Sequence, residues 1–146
     1  MRITVEQKTP PFHFVATGTR GRQIHMDEPE ESGGTGQGVS PMQMLIMAMG
    51  GCSGIDIAMI LEKSRQRVES FTMELDAERP PDSVGQPYHK IHAHYILTGE
   101  IEPTKAQRAV KLSITKYCGA SRTLGATADI TASVSVNGEQ FEVELD

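Results

Sequence analysis

The sequence predicts an α+β fold in which largely antiparallel sheets wrap one long central helix. Three observations predict it. Several segments alternate apolar and polar side chains with the period of a half-buried strand. One unbroken apolar stretch opens on a helix-start signal at Ser40–Pro41. Along the chain the elements run strands, long helix, two strands, helix, two strands, an order that favours α+β over a doubly wound sheet.

The first two strands are "RITVEQ" and "PFHFVATG", separated by a break at Pro10–Pro11. "RQIHMD" is a third. Residues 28–40, "EPEESGGTGQGVS", are rich in Gly and acid and read as a flexible loop. Ser40 suits an N-cap and Pro41 the first helical position, so a helix starts there and runs to about Arg65. In residues 67–77, Phe71, Met73, Leu75 and Ala77 face one way, and Ser70, Thr72, Glu74 and Asp76 the other. "ERPPDSVGQP" is a long turn. "YHKIHAHYILTG" alternates again through Ile91, Ala93, Tyr95 and Leu97. Residues 103–117 form an amphipathic helix with Pro103 near its start. Its apolar stripe is Ala106, Ala109, Val110, Ser113 and Tyr117. Cys118 ends that helix or opens the next. The tail is a hairpin: Ile130, Ala132, Val134 and Val136 alternate, Asn137–Gly138 suits a type I′ turn, and Phe141, Val143 and Leu145 return.

A chain of 146 residues is expected to form a single domain, residues 1–146. The net charge is −5 with no run of Lys or Arg, which argues against nucleic acid as a main partner. The N-terminal "MRITVEQKTPPF" has no apolar h-region, so the expected location is cytoplasmic. The two cysteines, Cys52 and Cys118, lie far apart with neither CxxC spacing nor a four-ligand zinc pattern. No metal or other cofactor is expected.

Leu45, Ile46, Met47, Ala48 and Met49 are consecutive and go all the way around the central helix. A helix apolar on every side is buried on every side or lies in a membrane. Asp56 within it and amphipathic strands on both flanks argue against a membrane span. One sheet of a small chain cannot cover such a helix, whereas a second subunit can, and the expected assembly is an intertwined homodimer. Gly50, Gly51 and Gly54 each cost a helix roughly 0.5–1 kcal/mol relative to Ala. They are expected where another backbone comes close. Methionines 42, 44, 47 and 49 read as adaptable core filler, with an apolar wall for a ligand as the alternative.

The segments "SPMQMLIMAMGGCSGIDIAMILEKSRQ" and "KYCGAS", with "VATGTRG" near the N-terminus, resemble the OsmC/Ohr family, and within it the YhfA-type branch. The resemblance covers nearly the whole chain. It implies an intertwined α+β dimer and a thiol-dependent peroxidase acting on organic hydroperoxides, regenerated by a dithiol reductant. Cys52 matches the peroxidatic position, Cys118 the resolving position, and Arg20 the arginine that attends the thiolate. The match departs at Met42, where better-characterised peroxidase members carry a glutamate in the motif Asn-Pro-Glu-Gln.

The chemistry fits these residue types. The thiolate is the nucleophile, and a free cysteine of pKa about 8.5 is only about 3% ionised at pH 7. A permanently charged guanidinium such as that of Arg20 favours the thiolate. Asp56, one helical turn after Cys52, opposes it and is expected to satisfy backbone or cation partners instead. Met42, Met44, Leu45 and Met49 are the candidate substrate wall, favouring alkyl peroxides over hydrogen peroxide. The alternative reading is a weakly catalytic or non-catalytic module that binds a small apolar or thiol-bearing ligand at the dimer interface. Met42 favours that alternative; the joint presence of Cys52, Cys118 and Arg20 favours the peroxidase. His92 and His94 share a strand face that is expected to be solvated, though they could share a metal. His13 and His25 read as isolated. Glu28, Glu30 and Glu31 read as a solvated loop, from which one carboxylate could replace the missing glutamate beside Arg20.

Overall fold

The computed structural model describes residues 1–81 and 84–146; Asp82 and Ser83, within the expected long turn, lie outside the described residues. The chain divides into two compact units, Met1–Leu45 and Ile46–Asp146.

In the first unit, β1 (Thr4–Thr9), β2 (His13–Thr17) and β3 (Gln23–Met26) form an antiparallel sheet in the order β1-β2-β3. His13 and His25 are not isolated. Their rings stack with centroids 5.1 Å apart, and His13 Nε2 lies 2.9 Å from His25 Nδ1. They form a diagonal cross-strand pair, which an antiparallel register brings together on one face. The Gly-rich loop after β3 is tied down by Asp27, a buried residue that sequence patterning did not single out. Its carboxylate accepts from the backbone N–H groups of Glu28 (2.8 Å), Thr35 (3.1 Å) and Gln37 (3.2 Å), and from the Thr35 hydroxyl. Burial pushes the Asp27 carboxyl up, but these donors outweigh it and hold the group below its ordinary value. Ser40 then opens the helix as expected, in a reciprocal capping box. The Gln43 N–H donates to Ser40 Oγ, and the Ser40 N–H donates to Gln43 Oε1, both at 3.3 Å.

Helix α1 spans Pro41–Lys63, and the chain leaves it through Arg65, at a left-handed φ of 59°. In the second unit, β4 (Arg67–Glu78), β5 (Lys90–Glu100), β6 (Asp129–Val136) and β7 (Glu139–Val143) form one sheet in the order β4-β5-β6-β7. Between β5 and β6 lie α2 (Pro103–Leu112) and α3 (Gly119–Leu124). The sheets are largely antiparallel, as expected, with one exception at the centre of this one: β5 and β6 run parallel, while β4–β5 and β6–β7 are antiparallel. The connection carrying α2 and α3 is long enough to return the chain for a parallel pair, and period-two patterning is blind to strand direction. Ile91, Ala93, Tyr95 and Leu97 of β5 and Val134 and Val136 of β6 are buried, as are Ile57 and Leu61 of α1 and Ala106, Ala109 and Val110 of α2. On the opposite face the imidazoles of β5 are engaged by hydroxyls. His92 lies 2.7 Å from Thr131 Oγ1, His94 lies 3.0 Å from Ser135 Oγ, and both contact the buried Ser133 Oγ.

Gly50 and Gly54 admit side chains rather than another backbone, which corrects the expectation for them. A Cβ on Gly50 would sit 3.0 Å from Leu75 Cδ1, and one on Gly54 would sit 2.7 Å from Met73 Cε. Two residues of the alternating β4 face thus seat the helix on the sheet. By length and composition α1 is apolar enough to cross a membrane, with 33% of its most apolar window buried. Met47, Gly51, Ile55 and Met59 recur every fourth residue as an exposed stripe, Ile55 being 65% exposed.

Candidate functional site

The two sulfurs are brought together by a local irregularity. After Leu112 the chain makes one π-helical turn, Ser113–Tyr117, closed by the Cys118 N–H donating to the Ser113 carbonyl at 2.8 Å. The wider turn breaks the helical phase. Tyr117, expected on the buried stripe, is therefore 52% exposed, and Cys118 is fully buried. Cys118 adopts an extended conformation as the N-cap of α3, where the Ser121 N–H donates to its Sγ at 3.3 Å.

Cys52 approaches from α1. Cys52 Sγ, Cys118 Sγ and an Asp56 carboxylate oxygen all lie within 4.8 Å of one another. Both cysteines are free thiols, Cys52 half-buried and Cys118 buried. The Cys118 sulfur also lies 4.0 Å from the Met49 carbonyl. Ser113 links the two walls of the site: its hydroxyl sits 3.2 Å from the Ser53 carbonyl and 3.3 Å from Asp56 Oδ2. Beneath it, the Tyr95 hydroxyl donates to Ser53 Oγ at 2.9 Å, and Ser53 donates to the Gly50 carbonyl at 3.1 Å. Next to Asp56 a groove of about 500 Å³ opens between α1 and α2. Met59, Ile60 and Leu112 make it apolar, and Lys63, Lys105 and Arg108 bring cations to it.

Burial pushes the Cys118 thiol up, and the neighbouring Cys52 adds to this, against the pull of the Ser121 donors. Burial likewise pushes the Tyr95 phenol up to about 12, with Cys118 contributing and the Ser53 hydroxyl opposing. The folded chain thus keeps the Tyr95 proton above pH 10.0, where the unfolded chain releases it. Stability linked to Tyr95 is full below about pH 10 and falls by roughly 2–3 kcal/mol as pH rises toward 12. Urea denaturation of wild type and Tyr95→Phe at about pH 9 and about pH 11 checks this. The variant is expected to lose about 1 kcal/mol at the lower pH, through the missing Ser53 bond, and to show the shallower decline.

Of the residues singled out from sequence, Cys52 and Cys118 meet in the second unit, and the buried Met49 contributes a carbonyl beside them. Arg20 is exposed, in the turn that links β2 and β3 in the first unit. Met42 and Met44 are half-buried on the first turn of α1, and Leu45 is exposed. One participant, Ser113, escapes the sequence reading, and Asp56, on the Cys52 face of α1 as its spacing predicts, accepts from the Ser113 hydroxyl rather than from the expected backbone or cation partner. Ser113 was read only as part of an apolar stripe; a serine on such a stripe was the available signal.

The sequence model for OsmC-like protein matches residues 34–133, a span that includes both cysteines. The chain belongs to the OsmC-like family. Protein YhfA of Escherichia coli strain K12 is 38% identical over 125 residues, covering 84% of this chain and 89% of that protein. A hypothetical protein from Aquifex aeolicus VF5 superposes with a TM-score of 0.82 at 28% identity, covering 94% of this chain and 96% of the other. At 20% identity, an organic hydroperoxide resistance protein OsmC from Legionella pneumophila shares the fold with a TM-score of 0.68, covering 92% of this OsmC-like chain and 96% of its own.

Proposed function

We propose that this OsmC-like protein is a thiol peroxidase that reduces organic hydroperoxides through Cys52 and Cys118. The observation that carries the reading is the convergence of the two sulfurs, one half-buried and one buried. The Cys52 thiolate attacks the distal peroxide oxygen, the O–O bond breaks, and the alkoxide takes a proton and leaves as an alcohol. Cys52 is then a sulfenic acid. Cys118 gives up its proton and attacks that sulfur; a disulfide forms, and the sulfenic hydroxyl leaves with that proton as water. An external dithiol reduces the disulfide by exchange and is itself oxidised to a disulfide. The family resemblance assigns the cation's part in this chemistry to Arg20. The apolar groove beside Asp56 suits an organic peroxide better than hydrogen peroxide. Reduced protein given about one equivalent of cumene hydroperoxide is expected to lose both thiols rapidly and about 2 Da of mass. Thiols that survive prolonged exposure support the second reading, a binding module, which Met42 favours by standing where characterised peroxidases have a glutamate.

The working unit in this reading is a cytoplasmic homodimer of single-domain chains. The exposed stripe Met47, Gly51, Ile55 and Met59 is the face a second copy covers, with Gly51 at the point of closest approach. A Cβ on Gly51 meets no described residue within 4 Å. Gly51→Leu therefore leaves the chain folded and is expected to shift it from dimer to monomer in sedimentation experiments. A dimer that survives the substitution places the interface elsewhere.

A further inference from the structure

The thiol cycle leaves one member of the cluster without a task. Asp56 puts a negative charge beside two sulfurs that must themselves become anionic, which opposes the peroxidase chemistry rather than aiding it. A carboxylate facing two thiols is, however, a donor set of another kind. Two sulfurs and one carboxylate oxygen within 4.8 Å of one another lie near the vertices of a metal tetrahedron. With metal–sulfur bonds of about 2.3 Å, the ideal sulfur–sulfur separation is about 3.8 Å, so closure requires side-chain movements of about 1 Å. The supporting contacts are of the sort that orient ligands: the Ser113 hydroxyl holds Asp56 Oδ2 at 3.3 Å, and the Ser121 N–H points at Cys118 Sγ from 3.3 Å. Cys52 and Asp56 are half-buried, which leaves one vertex reachable from solvent.

We propose that the reduced protein binds one thiophilic divalent cation of the zinc class through Cys52 Sγ, Cys118 Sγ and the Asp56 carboxylate, and that this binding and oxidation of the thiols exclude each other. Sulfur donors select zinc-like ions over magnesium or calcium. The exclusion follows from electron count. Disulfide formation removes two electrons from the sulfur pair and delivers them to the oxidant's O–O bond, leaving no thiolate to hold the ion. A bound ion in turn ties up both nucleophiles. The metal site depends only on the cluster and stands or falls separately from the peroxidase reading, whereas the exclusion by oxidation rests on that reading.

The test is titration of reduced, metal-free protein with Cd²⁺, followed by the ultraviolet thiolate-to-cadmium charge-transfer band, with Zn²⁺ as competitor. One Cd²⁺ per chain is expected, displaced by Zn²⁺. The band should be roughly halved in Cys118→Ser and absent from protein oxidised beforehand to its disulfide. Asp56→Asn, checked for folding by circular dichroism, should bind about tenfold more weakly or worse. Absence of the band at stoichiometric Cd²⁺ overturns the proposal, as does Asp56→Asn binding as tightly as wild type. Should Asp56→Asn fail to fold, a band that persists undiminished in Cys118→Ser has the same force.

Discussion

Cys52→Ser is expected to abolish peroxide turnover, whereas Cys118→Ser should consume about one or two equivalents and then stop. The two variants differ because the proposed cycle uses the sulfurs in sequence. Without Cys52 no nucleophile faces the peroxide, and removal of such a group costs about 10³-fold or more. Without Cys118 the sulfenic acid still forms but has no internal thiol to condense with. It then persists, or further peroxide carries it up the oxidation ladder to sulfinic acid. Stopped-flow consumption of cumene hydroperoxide, followed by mass analysis, separates the cases: no added oxygen in Cys52→Ser, and one or two added oxygens in Cys118→Ser. Equal loss of activity with unmodified sulfur in both variants contradicts the assignment of roles.

A large loss of stability is expected from Gly99→Ala. Gly99 sits where β5 faces a bulge in β4, between Val68 and Ser70. Its φ of 133° lies in a region that L side chains rarely adopt, and a Cβ there would lie 2.1 Å from the Arg67 carbonyl oxygen and 2.9 Å from the Glu69 nitrogen. Both obstacles are backbone, so neither can rotate aside. The substitution must unpair the end of β4 or distort β5, at about 3 kcal/mol or more. Urea denaturation should show the midpoint falling with little change in slope. A loss below about 1 kcal/mol contradicts this account of the bulge.

Local chemistry made most elements legible before any coordinates. Ser40 and Pro41 carry a start signal that acts within a few residues, and the helix begins there, with Gln43 completing the cap in the structure. Asn137 and Gly138 carry a turn signal; both adopt positive φ, 51° and 88°, between β6 and β7. What escaped depends on distant partners. The π-turn at Ser113–Tyr117 inserts a phase shift that a 3.6-residue stripe cannot announce, so Tyr117 was placed inside and came out. The parallel pairing of β5 with β6 left no mark, because alternation looks the same in either direction. Asp27 reads from sequence only as the last residue of the third strand, because its donors come from a loop up to ten residues away. At the site, each cysteine was visible, but the 4.8 Å cluster with Asp56 joins a helix to a turn far along the chain. Resemblance supplied that pairing; periodicity could not.

The central claim is that Cys52 and Cys118 form one redox pair. Non-reducing peptide mapping after one equivalent of organic hydroperoxide tests it most directly. The account predicts a single cross-linked species joining the Cys52 and Cys118 peptides of the same chain, with that chain about 2 Da lighter. Disulfides joining Cys52 to Cys52 between chains, or a Cys52 oxidised to sulfinic acid while Cys118 remains a free thiol, would contradict it.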